Sequence, residues 1–116
     1  MGSRWYAVVV DATDPARLAR WWAEVLDYRI TYEAPDEVSI EGEAPGPSLV
    51  FVPAPDMKSN KNRLHIELNP EDQAAEVERL VNMGARHVDV TQGEKATWVV
   101  LADPEGNEFC VLRARP

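Results

Sequence analysis

The chain has 116 residues, 45% hydrophobic and 28% charged, which suffices for one hydrophobic core and excludes two independent ones. Its 12 Lys and Arg against 20 Asp and Glu leave a formal net charge of −8, which repels phosphate backbones and anionic surfaces, so neither nucleic acid nor a membrane is an expected partner. Cys110 is the single cysteine, so no internal disulfide forms; the opening Met1-Gly2-Ser3-Arg4-Trp5 lacks a secretory apolar core, and no apolar run nears the ~18 residues of a membrane span. The expectation is a soluble, cytoplasmic protein.

Trp5 to Val10, rich in aromatic and β-branched residues, predicts a largely buried strand. Asp11-Ala12-Thr13-Asp14-Pro15 then breaks it, with Thr13 or Asp14 able to cap a helix and Pro15 suited to its first turn. Leu18, Trp21, Trp22, Val25 and Leu26 follow at the spacing of one apolar helix face, which assigns both tryptophans to the core. Arg29 to Glu33, Glu37 to Ile40 and Ser48 to Val52 are strand candidates, separated by turn-forming Pro and Gly. Pro53 to Asn62 is polar and unpatterned and reads as a linker.

The order then repeats. Arg63 to Leu68 predicts a strand, Asn69 a helix cap with Pro70 just inside, and Val77, Leu80 and Val81 an apolar helix face ended by Gly84. Arg86 to Val90, Ala96 to Leu101 and Glu108 to Leu112 are the last strand candidates, with Asp103-Pro104-Glu105-Gly106-Asn107 a turn. Superposing the halves sets Ala7 against His65, Asp11 against Asn69 and Trp22 against Leu80, an internal βαβββ repeat. The chain therefore reads as one α+β domain, 1–116, with modules at about 5–52 and 63–113 and a linker at 53–62. Each module offers one sheet face to its helix and leaves the other free.

This layout, with Leu26-Asp27-Tyr28 closing the first helix, Asn62-Arg63-Leu64-His65-Ile66-Glu67-Leu68 opening the second half, and Trp98 to Phe109 running through Asp103-Pro104-Glu105-Gly106-Asn107, resembles the glyoxalase/bleomycin-resistance/dioxygenase (vicinal oxygen chelate) superfamily, in its glyoxalase-like branch. The resemblance implies a cupped mixed sheet with helices outside, and a homodimer. It also implies four metal-ligand positions, which fall on Ala7, Val50, His65 and Cys110, the last commonly Glu in metal-dependent relatives. Hydrocarbon at Ala7 and Val50 donates nothing, whereas a catalytic divalent site takes about three protein ligands. The expectation is no catalytic metal and no cofactor, the alternative being a soft ion on Cys110 and His65 with a group from a partner chain.

Strand alternation sorts the side chains. Leu64, Ile66 and Leu68 point to the helix, and Arg63, His65 and Glu67 to the free face, where Glu67 either pairs with Arg63 or assists His65. Trp5, Ala7, Val9 and Asp11 share the free face of the first strand, and Glu108, Cys110 and Leu112 that of the last, with Phe109 and Val111 against a helix. Trp98 sits among apolar neighbours of both parities, so its facing stays open. Lys58, Lys61 and Arg63 form a basic cluster able to receive an anion. The candidate ligand-binding residues are Trp5, Ala7, Val50, Arg63, Trp98, Glu108 and Cys110, with His65 and Glu67 as candidate catalytic residues. The leading reading is a small-organic-ligand binder. The alternatives are a lyase, isomerase or hydratase acting on a small carbonyl compound, with His65 as acid/base and Arg63 facing the oxyanion, and a non-catalytic interaction module.

Overall fold

In the computed structural model, residue 2 and residues 5–88 and 97–113 are described. The elements run β1 (Ala7–Ala12), α1 (Pro15–Leu26), β2 (Arg29–Ala34), β3 (Glu37–Glu41), β4 (Ser48–Pro53), β5 (Ile66–Leu68), α2 (Gln73–Asn82), β6 (Arg86–His87), β7 (Val99–Ala102) and β8 (Glu108–Val111). The chain divides into two units, Met1–Met57 and Lys58–Pro116. Each carries a four-stranded mixed sheet, ordered β1-β4-β3-β2 in the first and β5-β8-β7-β6 in the second. In both, the first strand runs parallel to the fourth and the remaining pairs are antiparallel. This is the expected pair of βαβββ modules. No helix among the described residues is long and apolar enough to cross a membrane.

The first helix begins as its sequence dictates. Asp14 accepts the Arg17 backbone N–H at 3.2 Å, and Pro15 occupies the first turn, where a missing N–H costs nothing. Leu18, Ala19, Trp21, Trp22, Ala23 and Val25 are buried, and the rings of Trp21 and Trp22 meet edge to face at 5.0 Å. Asp27 closes the helix in the left-handed conformation, at φ 56°. Val38, Ile40, Leu49 and Phe51 supply the buried face of the sheet.

The second helix starts three residues later than the sequence suggests. Asp72, not Asn69, is the cap, accepting the Ala75 N–H at 3.1 Å, and Pro70 lies outside the helix. The repeat explains the choice, because the 58-residue step from Ala7 to His65 also carries Asp14 to Asp72. Leu80, the counterpart of Trp22, is fully buried; Val77 is half-buried and Val81 exposed.

β5 is also shorter than expected. Arg63, Leu64 and His65 precede it, and Leu64, expected against the helix, is 87% exposed. The cause lies on β8, where Asn62 approaches the ladder with its side chain: Nδ2 donates to the Glu108 carbonyl at 3.5 Å and the Asn62 N–H donates to the Glu108 carboxylate at 3.2 Å. Residues 63–65 therefore leave the pairing, and alternation no longer fixes their facing. Of the other strand candidates, residues 89–90 and 96 lie outside the described residues, while Val88 still donates to the Val100 carbonyl.

The turn between β7 and β8 is built on Asp103, which is 0% exposed. Its carboxylate accepts the backbone N–H groups of Glu105 and Asn107, both at 2.9 Å, and the Asn107 side-chain amide. Gly106 takes φ 88°, a conformation that glycine adopts without steric cost.

Candidate functional site

Register fixes which side chains share the face turned away from each helix. In the first module Val9 pairs with Val50, Val50 with Ser39, and Ser39 with Tyr32, so these four form one row across the sheet. Tyr32 enters this row because a bulge between Ile30 and Tyr32 reverses the local parity. Ala7 lies beside the row, opposite Ser48. The row is open: Val9 is 60% and Tyr32 54% exposed.

The second module places different chemistry at equivalent positions. Glu67 pairs with Cys110, as Val9 pairs with Val50, and Val100 flanks Cys110 on β7. His65 precedes β5 by one residue, and its Nε2 lies 3.7 Å from the Glu67 carboxylate, within ion-pair range and beyond hydrogen-bond range. The ion-pair neighbour of Glu67 is thus His65 and not Arg63, which stands outside the strand. Donor atoms of His65, Glu67 and Cys110 all lie within 4.8 Å of one another, with Cys110 buried and the other two exposed. Burial, reinforced by the negative Glu67, pushes the Cys110 thiol up, with Lys61 opposing. At neutral pH the thiol is therefore protonated.

Glu108 has a structural engagement. Lys58 Nζ donates to its carboxylate at 2.6 Å, beside the Asn62 N–H. Burial alone would raise this carboxyl, but the hydrogen bonds from Lys58 and the backbone, with the Lys58 charge, outweigh it and hold Glu108 below the usual carboxylate range. The basic cluster read from Lys58, Lys61 and Arg63 accordingly has one of its charges matched by a carboxylate.

The remaining candidates scatter. Trp5 is exposed ahead of β1, with its indole N–H donating to the Ala7 carbonyl at 3.3 Å. Arg63 is exposed in the segment before β5. Trp98 is exposed, one residue before β7 and outside its ladder. The sequence reading passed over Tyr32, whose facing depends on a bulge that no pattern marks, and Asn62, whose amide caps a ladder. At the four inherited metal positions, Ala7 and Val50 carry only hydrocarbon, so that donor set does not fit a divalent ion. Counting only those four positions omits Glu67, which the β5–β8 register delivers beside Cys110.

Comparison with known proteins agrees with this architecture. The fosfomycin resistance protein FosX from Listeria monocytogenes, solved as a mutant complexed with Mn(II) and 1S,2S-dihydroxypropylphosphonic acid, is similar at TM-score 0.75 and 12% identity, covering 99% of this chain and 93% of that one. TnmS3, an antibiotic-binding protein from Streptomyces sp. CB03234, gives TM-score 0.68 and 18% identity over 97% of each chain. A glyoxalase/bleomycin resistance protein/dioxygenase family enzyme from Burkholderia phytofirmans PsJN gives 0.68 and 16%, covering 94% of this chain and 97% of that one. At such identities the likeness concerns the fold. No curated protein sequence matches the chain. The profile of the Glyoxalase-like domain family matches residues 7–112, nearly the whole sequence, and the chain belongs to that family.

Proposed function

We propose that the protein binds a small organic molecule on the open faces of its sheets, without a metal at the four inherited positions. The observation that carries this reading is the row Val9, Val50, Ser39 and Tyr32, in which Val9 and Tyr32 stand exposed beside half-buried Val50 and Ser39. Covering exposed apolar surface lowers the free energy, and polar groups orient the molecule that covers it. The second module, taken by itself, carries aromatic and polar side chains in Trp98, His65 and Glu67. TnmS3, described as antibiotic-binding, and FosX, described as a resistance protein, support the ligand class. The reading includes a cytoplasmic location and a homodimer, and light scattering on the purified chain tests the dimer.

A thermal-shift screen against antibiotics and metabolites, run in chelator, tests the proposal. A ligand at 100 times its dissociation constant stabilises the fold by about 2.7 kcal/mol. Stabilisation by one chemical class supports the reading, and a library without any stabilising member overturns it. The His65–Glu67 approach at 3.7 Å favours a second reading, acid/base chemistry on a small carbonyl compound. With a ligand in hand, His65→Ala separates the two: lost turnover with retained affinity supports catalysis, and unchanged turnover removes His65 from any mechanism.

A further inference from the structure

We propose that Lys61 and Arg63 hold the anionic group of a small organic ligand, an oxyanion such as a carboxylate or a sulfonate, on the pinned segment that leads into β5. The inference rests on the ligand-binding reading and adds the chemical class of the ligand. Residues 58–65 contain Lys58, Lys61, Arg63 and His65 and no carboxylate, in a chain of net charge −8. The carboxylates beside them are already engaged. Glu108 accepts from Lys58 Nζ at 2.6 Å and from the Asn62 N–H at 3.2 Å, and Glu67 lies 3.7 Å from His65. Among the described residues, the exposed side chains of Lys61 and Arg63 make no ion pair.

Asn62 ties the backbone between the two cations to β8, through its N–H on the Glu108 carboxylate and its Nδ2 on the Glu108 carbonyl. A segment held before the ligand arrives gives up less freedom on binding. The Lys61 charge also acts on the Cys110 thiol, so it reaches the open face of the second sheet. A guanidinium fork and an ammonium point charge together suit an oxyanion. Leu64, 87% exposed directly after Arg63, offers apolar surface to the hydrocarbon part of the ligand, which favours an organic anion over an inorganic one. Glu67 repels an anion on its own side, so the anionic group stands at the segment and takes nothing from Ala7, Val50, His65 or Cys110.

Fluorescence titration of the full-length chain with anilinonaphthalene sulfonate and with phenylnaphthylamine, the same ring system without the sulfonate, tests the site. The expected result is saturable binding of the sulfonate, about tenfold tighter than that of the neutral probe. Lys61→Gln and Arg63→Gln should each weaken the sulfonate about three- to fivefold, and together at least about tenfold, while the neutral probe binds as before. Lys61→Arg should keep the wild-type affinity. Arg86→Gln, on β6 at the opposite edge of the same sheet, should change nothing. Equal affinity for the two probes would overturn this inference and leave the ligand-binding reading standing, because the neutral probe reports apolar binding alone. Unchanged sulfonate affinity in the double variant, an equal loss in Arg86→Gln, or displacement of the probe by equimolar inorganic sulfate would each overturn it as well. The substituted side chains are exposed, and circular dichroism confirms that each variant is folded.

Discussion

The two modules share strand order, strand directions and the spacing of their helix caps, yet differ on both faces of their sheets. On the helix side, α1 buries six residues including Trp21 and Trp22, whereas Leu80 alone is fully buried on α2. On the open side, Ala7, Val9 and Val50 stand where the second module has His65, Glu67 and Cys110. Backbone pairing fixes the topology, and single side chains at equivalent register positions fix the chemistry. A repeat can therefore be faithful as a fold and still divide its work, with an apolar surface in one copy and titratable and thiol groups in the other.

The core contrast predicts the largest effects. Trp22→Ala should cost about 3–5 kcal/mol, and its counterpart Leu80→Ala about 2–3 kcal/mol, because α2 is less enclosed and its surroundings collapse more readily onto the space. Urea unfolding midpoints measure both, and equal losses would break the distinction between the helices. Asp103→Ala should cost about 2–3 kcal/mol, since it strips the acceptor from two backbone amides and the Asn107 side chain in the β7–β8 turn. The first module has no such Asp-centred turn between β3 and β4, so the loss should appear as weakened hydrogen-exchange protection in β7 and β8.

Lys58→Met sharpens the electrostatic side of the comparison. Glu108 has a folded-state pKa below its unfolded one, so its contribution to stability is present above the unfolded value and lost as pH falls through the folded value. Removing Lys58 lets burial raise that carboxyl, so the variant should lose about 1–2 kcal/mol at neutral pH and show a flatter acid limb in a stability-against-pH series. Wild-type slope retained in the variant would show that Lys58 does not hold the carboxylate. Smallest of all, Leu64→Ser should change stability by no more than about 0.5 kcal/mol, because Leu64 stands in solvent outside β5. A larger loss would restore the longer strand.

Much of the fold was legible because it is written in periodicity and caps. The apolar spacing of Leu18 to Leu26 identified α1, and the 58-residue step identified the repeat. The same step pointed to Asp72, but Asn69-Pro70 made a stronger local helix-start signal and drew the boundary too early. The length of β5 was not legible, since it depends on Asn62 engaging Glu108 across 46 residues. At the site, alternation put Glu67 and Cys110 on one face, and these two do pair across β5 and β8. It could not place Tyr32, moved by a bulge, nor reveal that the Glu108 carboxylate is taken by Lys58. Long-range partners of this kind leave no local pattern.

The open faces, rather than the helices, are the functional surfaces in this account. The most direct measurement is the thermal shift produced by the strongest stabilising compound from the screen, compared between the wild type, Val9→Asp and Val50→Asp. The account predicts a wild-type shift that both substitutions reduce by more than half, since each places a charge in the apolar row. A shift that survives both substitutions in folded protein would contradict it.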